Sequence, residues 1–137
     1  MAFDPTSDYP LGTRRPDLVS TPGGIPLDGV TLAAVRSGEL AADEIRATPE
    51  TLRMQAEVAR AAGRTQLAES LERAAELAAV PDELLLEVYT ALRPRRATAI
   101  ELEEWARRLE AHDASNTAAF VREAAAAYAA RGLLADG

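Results

Sequence analysis

The sequence predicts an all-α fold: a compact antiparallel helical bundle preceded by an irregular, Pro/Gly-rich N-terminal arm. Three observations predict it. Apolar residues recur at spacings of three and four from Pro49 onward. Capping residues punctuate those stretches, with Thr48-Pro49 at one start, Thr98 three residues before Glu101 at another, and Gly63 and Gly132 at two ends. Runs of β-branched residues and strict alternation are absent, as is any repeat of 20–50 residues.

Residues 1–30 are expected to form the arm and 31–137 the helical domain. The arm holds five of the eight prolines (Pro5, Pro10, Pro16, Pro22, Pro26) and four of the eight glycines. Proline lacks an amide donor and fixes φ, so this density rules out a continuous helix. Tyr9, Leu11, Leu18, Val19, Ile25 and Leu27 supply apolar anchors, which a purely solvated tail would not need. An extended arm wrapping a neighbouring surface is therefore expected.

Asp28 is read as the cap of a short helix over about 31–36, stopped by Gly38, with another turn over about 42–46. Pro49 suits the first position of a helix to about Ala62, because that amide has no helical acceptor. Leu52, Ala56 and Ala59 share one face of it. The next helix, about 65–79, carries Leu67, Leu71, Ala74, Ala75 and Ala78 on its inner face. A third, about 82–92, carries Leu85, Val88, Tyr89 and Leu92 and is stopped by Pro94. The Thr98–Glu101 capping box opens a helix burying Leu102, Trp105, Ala106 and Leu109. A last helix, about 116–130, presents Phe120, Val121, Ala124, Ala125 and Tyr128.

Composition narrows the function classes. The chain has 137 residues, a net charge of -7 and no Cys, and all fifteen of its basic residues are Arg. An acidic surface repels phosphate backbones, so nucleic acid is not an expected partner. Thiolate catalysis, disulfides and Cys metal sites are excluded. No apolar run approaches the ~20 residues that span a bilayer, and the N-terminus lacks the features of a signal peptide. A cytoplasmic protein is expected.

Catalytic constellations are not legible. The single His112 falls near a helix end, where interaction with the helix dipole is the simpler account. Glu101, Glu103 and Glu104 lack a partner His at Glu-x-x-His spacing, so they read as a solvated first turn. The serines have no nucleophile-elbow context. Two Arg-rich places remain: Arg93, Arg95 and Arg96 around Pro94, and Arg46 and Arg53 either side of Thr48-Pro49. Arg binds carboxylates through a planar fork, which suits ion pairing across a subunit boundary.

An ordered series of short motifs then carries a resemblance. It comprises Ser7-Asp8-Tyr9-Pro10-Leu11, Leu27-Asp28 with Thr31-Leu32, Arg46, Thr48-Pro49-Glu50-Thr51-Leu52-Arg53, Gln55-Ala56 and Ala62-Gly63-Arg64. It continues through Glu72-Arg73-Ala74-Ala75-Glu76-Leu77, Val80-Pro81-Asp82, Leu86-Glu87, Tyr89, Ala91-Leu92-Arg93-Pro94 and Ala119-Phe120-Val121-Arg122-Glu123-Ala124-Ala125. In order and spacing, from Asp8 to about Leu134, the chain resembles the small subunit of adenosylcobalamin-dependent diol and glycerol dehydratases.

The resemblance implies a complex of large, medium and small chains, assembled as a dimer of heterotrimers. The large chain is TIM-barrel-like and holds substrate; adenosylcobalamin lies between large and medium chains, and none is bound by the small one. The complex removes water from a 1,2-diol or glycerol by radical chemistry, giving an aldehyde. The small chain is implied to be non-catalytic and to pack on the large chain. Asp8, Tyr9, Pro10, Leu11, Arg46, Arg53, Arg93 and Arg95 are the expected partner-binding residues. Arg95 stands where the family usually has an aromatic residue. Some relatives work inside a bacterial microcompartment and carry a long N-terminal extension; only seven residues precede Asp8 here, so self-directed encapsulation is not expected. The alternative is a free-standing helical adaptor of the same ancestry.

Overall fold

The computed structural model describes residues 2–137 and contains seven α-helices and no strand among them. The helices are α1 (Leu11–Arg14), α2 (Leu32–Ser37), α3 (Pro49–Ala61), α4 (Thr65–Leu77), α5 (Asp82–Ala91), α6 (Ala99–Glu110) and α7 (Ser115–Arg131). The chain divides into two compact units, one ending at Ala78 and one spanning Ala79–Gly137.

In the first unit the Pro-rich segment is more folded than its composition suggests. It contains α1 and two 3-10 turns, Pro16–Leu18 and Leu27–Gly29. Ser20 and Pro26 form an isolated antiparallel bridge around a tight Pro22-Gly23 turn, closed by the Gly24 amide donating to the Thr21 carbonyl at 2.9 Å. The cap of α2 is Thr31 and not Asp28: Thr31 Oγ1 accepts from the Ala34 amide at 3.1 Å, while Asp28 lies inside a 3-10 turn. Gly38 closes α2 at φ 80°, a conformation that costs a β-carbon-bearing residue but not glycine.

Helices α3 and α4 form a hairpin. Thr48 caps α3 by accepting from the Thr51 amide at 3.2 Å, and Pro49 occupies the first turn. The turn at Gly63 lets the Arg64 amide reach the Ala59 carbonyl at 2.8 Å. The seam is built from Ala56, Ala59 and Ala68, with Leu71 packed against it. Such small side chains permit close helix approach. Of the expected inner face of α4, Ala75 is buried and Leu71 packs on the seam; Ala68 is buried beside them, whereas Leu67 is 45% exposed and Ala78 is exposed. Arg60 and Glu72 join the two helices at 2.5 Å.

In the second unit the capping box is complete. Glu101 accepts from the Thr98 amide at 2.7 Å, and Thr98 Oγ1 accepts from the Glu101 amide at 3.3 Å. Leu102, Ala106 and Leu109 of α6 face Ala118 and Val121 of α7, all at most 1% exposed. On α5 the buried residues are Leu84 and Val88; Tyr89, expected inside, is 60% exposed. Phe120, also expected inside, is 44% exposed, because the buried face of α7 runs through Thr117, Ala118 and Val121. The Tyr128 hydroxyl donates to the Leu92 carbonyl at 2.5 Å, tying α7 to the end of α5.

Candidate partner-binding surfaces

In the first unit a polar lock shapes the segment before α1. Asp4 begins a turn in which its carboxylate accepts from the Thr6 amide at 2.9 Å and from the Thr6 and Ser7 hydroxyls. The Asp4 amide donates to Asp8 Oδ2 at 2.9 Å. Arg15 then grips two carboxylates: Asp8 at 3.0 Å and Asp17 through Nε and a terminal nitrogen at 3.0 and 2.9 Å. The Arg15 hydrogen bond holds the Asp17 carboxyl below its ordinary range. The hydrogen bonds from Thr6 do the same for Asp4.

That lock decides what the expected contact residues present. Asp8 is engaged within its own unit, and Leu11 is only 2% exposed. Pro10 is exposed and Tyr9 is 55% exposed. Tyr9 borders a groove of about 280 Å³ with Gln55, Val58, Ala62, Arg64 and Leu67. Arg53 lies exposed on α3, and Arg46 is exposed on the segment before it.

A second polar contact folds the 20s loop onto the turn before α3. Glu44 accepts from the Gly23 amide at 2.9 Å. Its carboxyl is held below its ordinary value chiefly by a hydrogen bond from Thr21, then by the Gly23 amide. A β-carbon at Gly23 would overlap the Glu44 carboxylate, so any other residue there displaces that side chain.

In the second unit Arg93, Arg95 and Arg96 are all exposed on the loop after α5. Arg95 has φ 59°, unusual for a side chain of its size. Its amide donates to the Leu133 carbonyl at 2.7 Å, and the Ala135 amide donates to the Ala97 carbonyl at 2.9 Å. Beside the loop lies a groove of about 420 Å³ lined by Leu86, Thr90, Ala91, Arg96, Ala97 and Trp105, with Glu87 and Glu101 also on its wall.

Sequence reasoning missed Arg15, Glu44 and the groove at Trp105. The Arg15–Asp17 pair sits in a 3-10 turn, outside the helical spacing by which ion pairs are recognised. Glu103 was read as solvated, but it pairs with Arg122 across α6 and α7. His112 is exposed in the turn after α6. No group of three or more potential metal ligands occurs among the described residues, and no described helix is long and apolar enough to cross a membrane.

Residues 5–135 match the family model described as dehydratase small subunit. The chain is 52% identical over 126 residues to the propanediol dehydratase small subunit of Citrobacter freundii, covering 91% of this chain and 73% of that protein. The propanediol dehydratase small subunit of Salmonella typhimurium LT2 matches to the same extent, again 52% over 126 residues. The chain belongs to the dehydratase small-subunit family, and these relatives are subunits of a lyase.

Proposed function

We propose that this chain is the non-catalytic small subunit of a diol dehydratase, packing on the large subunit to complete and stabilise a complex with large and medium chains. The reaction of that complex is loss of water from a 1,2-diol such as propanediol, or from glycerol, to give the aldehyde. The observation that carries the reading is the 52% identity spanning 91% of the chain.

We assign adenosylcobalamin no site on this chain. The two grooves, of about 420 and 280 Å³, are no larger than those that hold ordinary small ligands. The cofactor, which supplies the radical chemistry, is assigned to the large and medium chains, and no step is routed through this one.

Co-expression with the large and medium chains of a diol dehydratase tests the reading. The expected result is a dimer of heterotrimers that contains this chain and converts 1,2-propanediol to propionaldehyde when supplied with adenosylcobalamin. A stable complex of the two larger chains, equally active and unable to take this chain up, would overturn it.

A further inference from the structure

We propose that the Arg93-Pro94-Arg95-Arg96 loop and the adjoining Trp105 groove form one docking surface for an acidic segment of a partner dehydratase subunit. The segment would place carboxylates on the arginines and one apolar side chain in the groove. This rests on the proposed function and specifies the chemistry of one of its contacts.

Charge accounting inside the second unit points there first. Arg107 pairs with Glu103, Arg108 with Glu87, and Arg122 with Glu103 and Glu110. None of Arg93, Arg95 and Arg96 has a carboxylate within ion-pairing distance among the described residues. On a chain with 22 acidic residues and a net charge of -7, three neighbouring arginines left unmatched are a local inversion of sign. Their mutual repulsion is relieved by an anionic partner.

The groove repeats the pattern. Its two acidic wall residues are already used: Glu87 meets Arg108 at 3.6 Å, and Glu101 caps the Thr98 amide at 2.7 Å. Arg108 itself lies over the Trp105 ring, 4.5 Å from its centre. Arg96 has no carboxylate within ion-pairing distance, although Glu101, which caps a neutral amide, keeps its charge on the same wall. The apolar part of the lining comes from Leu86, Ala91, Ala97 and Trp105, and Leu86 is 66% exposed.

The backbone is the third observation. Arg95 holds a left-handed conformation, φ 59°, that glycine would adopt without penalty. Hydrogen bonds from both sides keep the loop in place, Arg95 amide to Leu133 carbonyl and Ala135 amide to Ala97 carbonyl. A pre-positioned loop loses little freedom on binding, which strengthens charge-assisted hydrogen bonds to a carboxylate.

The test uses the complex with large and medium chains and two variants, Arg95→Gly and Arg96→Gln. Arg95→Gly suits the φ of this position, so folding is retained and only the guanidinium is lost. Affinity of the small chain for the complex of the other two is measured at low and high salt. The expected result is about a tenfold loss for each variant at low ionic strength, shrinking at high salt, with unchanged thermal unfolding of the free chain. If the unaltered chain joins the complex and both variants join it equally well at low salt, this inference falls and the proposed function stands. If the unaltered chain does not join at all, both fall.

Discussion

Arg122 on α7 meets Glu103 on α6 in a two-pronged contact, Nε to Oε2 at 2.9 Å and a terminal nitrogen to Oε1 at 3.0 Å. The same guanidinium reaches Glu110 at 2.5 and 3.1 Å, one helical stretch further along α6. One cation thus closes the polar side of a hairpin whose other side is Leu102, Leu109, Ala118 and Val121.

The Arg122 contact makes stability depend on pH and salt. Hydrogen bonding from Arg122 is the main cause that lowers the carboxyls of Glu103 and Glu110 below their ordinary 4.5. A carboxyl lowered on folding contributes stability that is fully present above its unfolded value and is lost as pH falls through its folded value. Unfolding temperature is therefore expected to fall as pH drops below 4.5, and to fall less steeply in Arg122→Gln. All these side chains are more than a third exposed, so high salt should narrow the difference between the two proteins. An identical acid limb in both, followed by circular dichroism, would contradict the prediction.

Gly23 and Glu44 should be coupled. Gly23→Ala forces the Glu44 carboxylate aside and breaks its bond to the Gly23 amide. Glu44→Ala removes the same bond directly. The double variant is then expected to be no less stable than the worse single one, because both changes act on the same carboxylate and its bonds to Thr21 and the Gly23 amide. Strictly additive losses in urea denaturation would show that the two residues act separately.

Burial separates two leucines that the sequence alone would treat alike. Leu109 is fully buried and Leu86 is 66% exposed. Leu109→Ala should cost about 2–5 kcal/mol, from lost transfer energy and the cavity left behind. Leu86→Ala should stay within about 0.5 kcal/mol in the free chain. Chemical denaturation of both variants measures the contrast, and equal losses would refute the assignment of inner and outer faces.

The segment before α1 should behave as part of its folded unit and not as a loose strap. Leu11, at 2% exposure, and the Arg15 contacts to Asp8 and Asp17 tie it down. Leu11→Ala is expected to destabilise the free chain by about 2–5 kcal/mol. Fast amide exchange at Thr13 to Arg15, whose amides bond to the Pro10 and Leu11 carbonyls, would count against it.

Local signals in the sequence were sufficient for α3 to α7 and most of their ends, but not for α1 or for the Thr31 cap of α2. Thr48 with Pro49, the Thr98–Glu101 box, and the glycines at 38, 63 and 132 each act over a few residues, so their effect can be read without knowing the neighbours. The ordered motifs likewise sufficed for the family. Which member of each apolar stripe is covered was decided by the tertiary structure. Packing puts Ala68 and Leu84 inside and leaves Leu67, Tyr89 and Phe120 in the open. The partners of Arg15, Glu44 and Arg122 were settled at the same level, because each bond depends on where a separate element comes to rest, including separations of 19 and 21 residues that no helical period encodes.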